Sequence, residues 1–209
     1  MEANFAELLK DIPVYHRRKP PEVTREQLVA KATAMARRGY IHSEASLAAL
    51  EAYLQGYGVL LSGGMGLGKT FFFQTLNPQP LPILSFNQCF LWKFEQLGEW
   101  LDEMRGREIV LDDIGWESGR ASNYGTRFDA LQVALDFRLS HDCGARTHIT
   151  TNCTNDELVE KYDPHVVDRI YECCRCFVLP NAESKRDALV DWTYLRTAEN
   201  NRKYGEEKL

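Results

Sequence analysis

The sequence predicts an α/β fold built on a five-stranded, mainly parallel sheet that is flanked by helices. Five short apolar runs of strand length alternate with amphipathic stretches of helical length from residue 57 onward. This alternation requires crossover connections, which make the strands parallel and cover both faces of the sheet. A glycine-rich loop stands between the first run and the next helix. The 209 residues, 44% of them hydrophobic, are enough for one domain with a substantial core.

Helices are expected before the first strand. Four apolar residues share one face of an N-terminal helical segment, namely Phe5, Leu8, Leu9 and Ile12. The run VYHRRKPP then interrupts the pattern and is typical of a linker. Thr24 and Gln27 make a capping box, which predicts a second helix that ends near Gly39. A third helix is expected from Ser43 to about Leu54.

The sheet itself follows in order along the chain. The five strand candidates are GVLLSG, LPILSF, EIVLDD, RTHITTN and RCFVLP. Helices are expected between them near residues 69–76, 88–104 and 125–141, and as a pair near 155–173 that Pro164 separates. The predicted organisation is a helical extension and linker over residues 1–40, a main domain over 41–188, and a C-terminal helix or tail over 189–209.

The glycine-rich loop carries the most specific chemical signal. Residues 63–70, GGMGLGKT, fit the pattern G-x-x-x-x-G-K-[ST] between a strand and a helix. Backbone N–H groups and a helix N-terminus would cradle a phosphate chain, Lys69 would neutralise its charge, and Thr70 would bind Mg²⁺. We therefore expect ATP and Mg²⁺ as cofactors; the alternative is a glycine-rich turn with an incidental lysine. The expected nucleotide contacts are Gly63, Gly64, Met65, Gly66, Leu67, Gly68, Lys69 and Thr70.

Polar residues at two later strand ends would complete such a site. In EIVLDDIG, Asp112 is the candidate carboxylate on the Mg²⁺ side. Asp113, turned the other way on an extended backbone, is the candidate that polarises the attacking water. The two carboxylates could instead cap the following turn. Asn152, the last residue of ITTN, would help to position the water, although an asparagine in this place is also typical of a turn.

Taken together, five segments resemble the AAA+ ATPases of the DnaC/IstB group, which includes bacterial helicase loaders and transposition-helper ATPases. The segments are GGMGLGKT, IVLDDIG, ITTN, DELVEKYDPHVVDRI and ESKR, and the resemblance covers roughly residues 56–188. It implies an AAA+ core with a truncated or absent helical lid. It also implies an ATPase that loads or remodels a replicative helicase on DNA, or alternatively one that assists a transposase.

The resemblance assigns roles to two arginines. By resemblance Arg169, in VVDRI, looks like a finger that reaches the γ-phosphate of a neighbouring subunit, which implies a homo-oligomer or a hetero-oligomer. The alternative is a surface salt bridge to Asp168 or Glu172. Arg186, near Ser184, matches a second contact to the nucleotide phosphate within the same chain, and a charged helix start is the alternative.

Charge restricts the expected partners. The net charge of −5 argues against a generally basic nucleic-acid binder, so a single-stranded DNA contact would have to be local. In the VYHRRKPP run, Arg17, Arg18 and Lys19 could touch phosphates while Tyr15 stacks on a base, or the run could be a solvated linker. The amphipathic helix before it is a candidate for docking a partner protein, or it packs on its own domain.

The remaining features favour an ordinary cytoplasmic protein. We expect all six cysteines to be reduced and buried thiols, since a chain of this length needs no disulfides. Apolar runs stay short of the roughly 20 residues that a membrane helix needs.

Two other functional classes stay open. Asp113 occupies a position where many AAA+ ATPases carry glutamate, so a nucleotide-dependent binding clamp with little turnover is one alternative. A P-loop kinase is the other, although kinases commonly place the loop in the first strand of the chain and add an arginine-rich lid, which is not evident here.

Overall fold

The computed structural model describes residues 21–86, 94–115, 121–123, 126–141 and 146–180. The helices within these ranges are α1 (Arg25–Ala36), α2 (Glu44–Leu54), α3 (Lys69–Leu76), α4 (Phe94–Glu103), α5 (Ala130–His141), α6 (Asn155–Lys161) and α7 (Pro164–Cys173). The strands are β1 (Gly58–Ser62), β2 (Ile83–Ser85), β3 (Ile109–Ile114), β4 (Ala121–Asn123), β5 (Thr126–Phe128), β6 (Thr147–Thr151) and β7 (Cys174–Val178).

Five of the strands form one sheet in the order β2-β3-β6-β1-β7, and every neighbouring pair is parallel. This confirms the predicted five-stranded parallel sheet and all five strand candidates. Strand β6 lies between β1 and β3, with Ile149 level with both Leu60 and Leu111. The carboxyl ends of these three strands therefore meet at one edge of the sheet.

The central strands are buried on both faces, and their side chains alternate between two hydrophobic clusters. Val59 and Leu61 of β1 belong to the cluster that includes residues of α2 and α3, whereas Leu60 belongs to the cluster on the other side, with residues of α4, α5 and α7. Within α3, Phe72 and Phe73 are fully buried. The period of two fits strands in a sheet that is covered on both faces.

The helices before the sheet begin where the sequence predicts them to begin. The Thr24 hydroxyl accepts the N–H of Gln27 at the start of α1, and the Gln27 side chain accepts the N–H of Thr24 in return. At the start of α2, Ser43 and Ser46 make the same reciprocal pair of bonds. The earlier helical segment and VYHRRKPP run lie outside the described residues.

The prediction of a helix over residues 125–141 is wrong at its start. Residues 126–128 form β5, which pairs antiparallel with β4, and α5 begins only at Ala130. The reason is a cap, because the Asp129 carboxylate accepts the N–H groups of Leu131 and Gln132 at 3.0 and 3.1 Å. The helix expected over 88–104 is described from Phe94, and what precedes it lies outside the described residues.

The end of α7 and strand β6 both approach β1 closely at Gly58. A Cβ atom there would lie 2.1 Å from the Cys173 carbonyl oxygen and 2.5 Å from that of Thr147, so only glycine fits. Cys173 ends α7 and Cys174 begins β7, with no loop between them. The last turn of α7 thus lies directly against the amino end of β1.

Four cysteines in the described residues are free thiols, namely Cys153, Cys173, Cys174 and Cys176. Burial raises the pKa of the Cys173 thiol to about 11 and the pKa of Cys174 well above its usual value. Of these four, Cys174 is buried as expected, whereas Cys153, Cys173 and Cys176 are partly exposed, so the expectation of buried thiols is wrong for those three. Cys89 and Cys143 lie outside the described ranges. Among the described helices, none is long and apolar enough to cross a membrane.

A buried histidine joins β6 to β1 and to the start of β3. His148 has no exposed surface, and its Nδ1 accepts the N–H of Val59 at 3.1 Å. Because that N–H can only donate, the ring is neutral, and its Nε2–H donates to the Glu108 carboxylate at 2.7 Å. Arg146 binds the same carboxylate at 2.9 Å. Burial lowers the pKa of His148 despite the neighbouring carboxylate.

This histidine predicts a pH-dependent stability. The unfolded chain takes up a proton on His148 as the pH falls below about 6.5, whereas the folded chain resists it, so the free energy of unfolding should fall by up to ~1.4 kcal/mol per pH unit until the folded pKa is reached. His148→Gln, which cannot titrate but can accept and donate, should flatten this dependence. Urea unfolding at pH 7.5 and 5.5 measures the difference, and equal losses in both proteins would refute it.

Candidate nucleotide-binding site

The loop between β1 and α3 has the backbone of a phosphate cradle. Gly63, Gly66 and Gly68 have φ values of 144°, 78° and 83°, which favour glycine. At Gly63 a Cβ would also lie 3.0 Å from the Leu179 carbonyl oxygen. Gly68 is the N-cap of α3 and supplies no side-chain acceptor to its first amides. An anion at this helix N-terminus would meet N–H donors and the positive end of the helix dipole.

Lys69 points back into this loop. Its Nζ donates to the carbonyl oxygens of Gly63 and Gly64 at 2.8 and 2.7 Å, and to the Oδ1 atom of Asn152 at 2.6 Å. The residue is only 6% exposed. The ammonium group therefore lies between the loop and the carboxyl end of β6, which is where the phosphates of a nucleotide in this loop would need a positive charge.

Thr70 and Asp112, the two candidate Mg²⁺ residues, are in direct contact. The Thr70 hydroxyl donates to Asp112 Oδ1 at 2.8 Å, and Asp112 is buried. Hydroxyl and carboxylate oxygens are the hard ligands that suit Mg²⁺. The described residues contain no group of three or more His, Cys, Asp or Glu that could hold a metal alone. A Mg²⁺ ion that shares its ligands between a few protein oxygens and substrate phosphates fits this donor set.

Asp113 differs from the expectation of an extended backbone. Its φ is +57°, in the left-handed region, and the register between β3 and β6 shifts between Leu111 and Ile114. This bulge turns the residue out of the regular ladder. The prediction of extended geometry was wrong because a bulge inserts extra chain at the strand end, which alternation along the sequence does not reveal.

Asn152 connects the loop to this bulge. Its Oδ1 accepts from Lys69, while its Nδ2 donates to Asp113 Oδ1 at 3.4 Å. The residue follows β6 in a bend, as the turn interpretation expects, yet its side chain lies between two predicted site residues. Lysine, asparagine and aspartate thus form a continuous polar chain from the loop to the end of β3.

Sequence reasoning missed Thr150, which contacts both carboxylates. Its hydroxyl donates to Asp112 Oδ1 at 2.7 Å and accepts the N–H of Asp113 at 2.9 Å. A signal was present in the sequence, because the predicted strand contains THITT, with three threonines. All five of these residues are buried in the structure. Polar side chains in a fully buried strand must find partners.

Of the two arginines that the resemblance assigns to the site, only Arg169 lies within the described residues. Arg169 Nη1 donates to Glu172 at 2.7 Å, and its Nε lies 3.5 Å from Asp136 on α5. The pair with Glu172 matches the surface salt bridge that is the alternative to the finger role. The contact with Asp136 was not predicted, because that residue lies 33 positions earlier in the chain. These contacts place Arg169 on the α5–α7 side of the sheet. Ser184 and Arg186 lie outside the described residues.

The fold and this arrangement define the class: an α/β protein with a glycine-rich loop between β1 and α3 and polar residues at the ends of two further parallel strands. The chain matches no protein-family model and no curated protein. It is similar to the solved structure titled "Crystal Structure of the DnaI", with a TM-score of 0.55 and 19% identity, over 76% of this chain and 95% of that one. This likeness confirms the α/β fold, a parallel sheet flanked by helices, that the sequence predicts.

A second solved structure, domain III of the Thermotoga maritima replication initiation protein DnaA, aligns with a TM-score of 0.49 and 18% identity. That alignment covers 73% of this chain and 70% of the other. The fold assignment rests on the first structure. The lid that the resemblance predicts to be truncated or absent would follow β7, beyond the described residues.

Proposed function

We propose that this chain is a Mg²⁺-dependent AAA+ ATPase whose nucleotide state controls a replicative helicase on DNA. The observation that carries the proposal is the polar chain of Lys69, Asn152 and Asp113, which connects the glycine-rich loop to a carboxylate at the end of β3. The contact between Thr70 and Asp112 beside this chain supports a metal-assisted reaction.

In this proposal the loop and the N-terminus of α3 bind the phosphates of ATP. Lys69 exchanges a loop or asparagine contact for phosphate oxygens, which offsets their charge. Thr70 and Asp112 are the residues that would hold Mg²⁺. When bound, Mg²⁺ supplies positive charge against the charge that develops on the transferred phosphoryl group.

Asp113 is the proposed general base of the same reaction. Its carboxylate would accept a proton from the attacking water, and the Asn152 amide would orient that water. The bond between Asn152 Nδ2 and Asp113 Oδ1 supports a shared role, since it brings both groups to one place. A base must lie within hydrogen-bond reach of the water that it activates.

The observation that favours hydrolysis over a passive clamp is the bond between Asn152 and Asp113, because it brings a candidate base next to the amide that would orient the water. The left-handed backbone at Asp113 turns this residue out of the ladder, and aspartate is among the residues that tolerate the conformation. The direct test is release of ADP and phosphate from Mg²⁺–ATP by the wild-type protein, with EDTA as the control. Transfer of phosphate to a panel of nucleosides instead of water would favour a kinase.

The helicase role rests on the sequence resemblance to helicase loaders, supported by the fold shared with DnaI. A transposition-helper ATPase is the alternative within the same family. Capture from the native host with an Asp113→Asn variant loaded with ATP distinguishes them. A replicative helicase in the eluate supports the first role, and a transposase supports the second.

The proposal includes a neighbouring subunit that supplies Arg169. We expect Arg169→Ala to bind ATP normally but to lose ~10³-fold in turnover when the protein is assembled, because a trans arginine stabilises transition-state charge. ATPase rate against protein concentration measures this. Arg105→Ala, which removes an exposed ion pair to Asp102, is the control. Equal rates for wild type and Arg169→Ala at high protein concentration would exclude the trans contact.

A further inference from the structure

One hydroxyl group, that of Thr150, contacts both acidic residues at the end of β3. It donates to Asp112 Oδ1 at 2.7 Å and accepts the N–H of Asp113 at 2.9 Å. Thr150 has no exposed surface. Since a hydroxyl has one donor and two acceptor positions, it can make both bonds at once.

The bond from the Asp113 N–H to the Thr150 hydroxyl stands in place of the strand pairing that the bulge interrupts. In the regular part of the β3–β6 pair, Leu111 stands opposite Ile149, and pairing resumes only with Ile114 opposite Thr151. Asp113, between these points, has a left-handed backbone. A residue in a bulge is removed from the ladder, so its backbone groups need other partners. Thr150 supplies the acceptor from a side chain.

The bond to Asp112 fixes the other carboxylate. Asp112 Oδ1 accepts from Thr150 and from Thr70, at 2.7 and 2.8 Å. Two donors from different elements, β6 and α3, converge on one oxygen atom. This arrangement holds the carboxylate plane against rotation and directs it toward the loop.

We propose that Thr150 is a positioning residue that sets Asp112 and Asp113 in one geometry for their separate roles. This inference rests on the proposed function of the site, in which Asp112 lies on the Mg²⁺ side and Asp113 acts as the base. Without the hydroxyl, Asp112 loses one of its two threonine donors, and the Asp113 N–H loses its bond to Thr150. Both the metal requirement and the base should then change together.

The chain offers a matched control in the next residue. Thr151 is equally buried, but its hydroxyl donates to the Ile114 carbonyl oxygen at 2.7 Å and accepts the N–H of Cys153 at 3.0 Å. Neither bond involves Asp112 or Asp113. Thr150→Val and Thr151→Val each replace a buried hydroxyl by a methyl group of similar shape, so they share the cost of an unsatisfied partner.

The first readout needs no nucleotide. Amide hydrogen exchange at Asp113, followed by NMR, should show a protected N–H in the wild type and in Thr151→Val. Exchange should be at least ~10-fold faster in Thr150→Val. Thr150→Ser retains the hydroxyl and should restore the protection. This measurement separates a role at the bulge from general loss of stability, since the control variant loses a bond of the same kind.

The second readout is the Mg²⁺ requirement of nucleotide binding and turnover. In Thr150→Val the Mg²⁺ concentration for half-maximal turnover should rise and kcat should fall, each by ~10–100-fold, as expected when a residue that orients a metal-side carboxylate is removed. Thr150→Ser should stay within about threefold of wild type, and Thr151→Val should keep the wild-type Mg²⁺ requirement.

Each outcome decides the inference. If Thr150→Val and Thr151→Val behave alike in both readouts, Thr150 is only structural and the proposal is overturned. If Thr150→Val does not fold, the wild type and Thr150→Ser decide the proposal. An Asp113 amide that is unprotected in the wild type overturns it. An amide that is protected in both proteins supports it. If the wild type neither binds nor hydrolyses Mg²⁺–ATP, the proposed function fails, whereas the amide exchange still reports on Thr150.

Discussion

Replacement of Lys69 by alanine should abolish nucleotide binding, with a loss of at least ~100-fold in ATP affinity and turnover reduced to background. The ammonium group lies at hydrogen-bond distance from the two loop carbonyls and from Asn152. Charge-assisted hydrogen bonds contribute about 1.5–3 kcal/mol each, and a nucleotide would gain more than one from this group. Titration with a fluorescent ATP analogue measures the affinity, and release of phosphate measures turnover.

The control for this experiment is Lys31→Ala. Lys31 donates to the Asn77 side chain at 2.9 Å and lies on α1, apart from the loop residues. The control should bind ATP as the wild type does. Thermal unfolding of both variants shows whether the loop change has unfolded the domain. If Lys69→Ala folds and binds ATP with wild-type affinity, the loop is not the nucleotide-binding site.

Asp113→Asn should separate binding from chemistry. The variant should retain the ATP affinity of the wild type within about threefold, while kcat should fall by ~10²–10⁴-fold, because an amide cannot accept the proton of the attacking water. Asparagine is among the residues that best tolerate a left-handed backbone, so the bulge should persist. Single-turnover hydrolysis at saturating ATP measures the chemical step without product release.

Asp102→Asn is the matched control, since Asp102 is an exposed carboxylate that pairs with Arg105 on α4. It should hydrolyse ATP at the wild-type rate. Unchanged kcat in Asp113→Asn would exclude Asp113 as the base. Background turnover in the wild type itself, with ATP binding intact in the presence of DNA and partner, would instead support the nucleotide-dependent clamp.

Local patterns in the sequence are enough to predict the strands and most of the helices. Five apolar runs become the five strands of the sheet, and the capping residues Thr24 and Ser43 begin α1 and α2. These features depend on neighbours within a few positions, which is why they can be predicted from sequence alone. The parallel sheet then follows from alternation with helices.

What the sequence could not reveal depends on contacts between distant segments. The bulge at Asp113 is stabilised by Thr150 from another strand, 37 positions away. Arg169 meets Asp136 because α5 and α7 pack together on the same side of the sheet. The start of α5 was misplaced because Asp129 caps it, and the strand before it was too short to show alternation.

The direct connection of α7 to β7 links the position of Arg169 to the start of β1. Arg169 lies one turn before the end of α7, and the carbonyl of Cys173, at that end, would lie 2.1 Å from any Cβ placed on Gly58. Gly58 is the first residue of β1, and the glycine-rich loop follows the last residue of this strand. Helix α7 therefore continues into edge strand β7 without a loop, and its last turn packs against the first residue of β1. If a neighbouring subunit binds Arg169 as proposed, a displacement of α7 would act on the start of β1 without a loop in between.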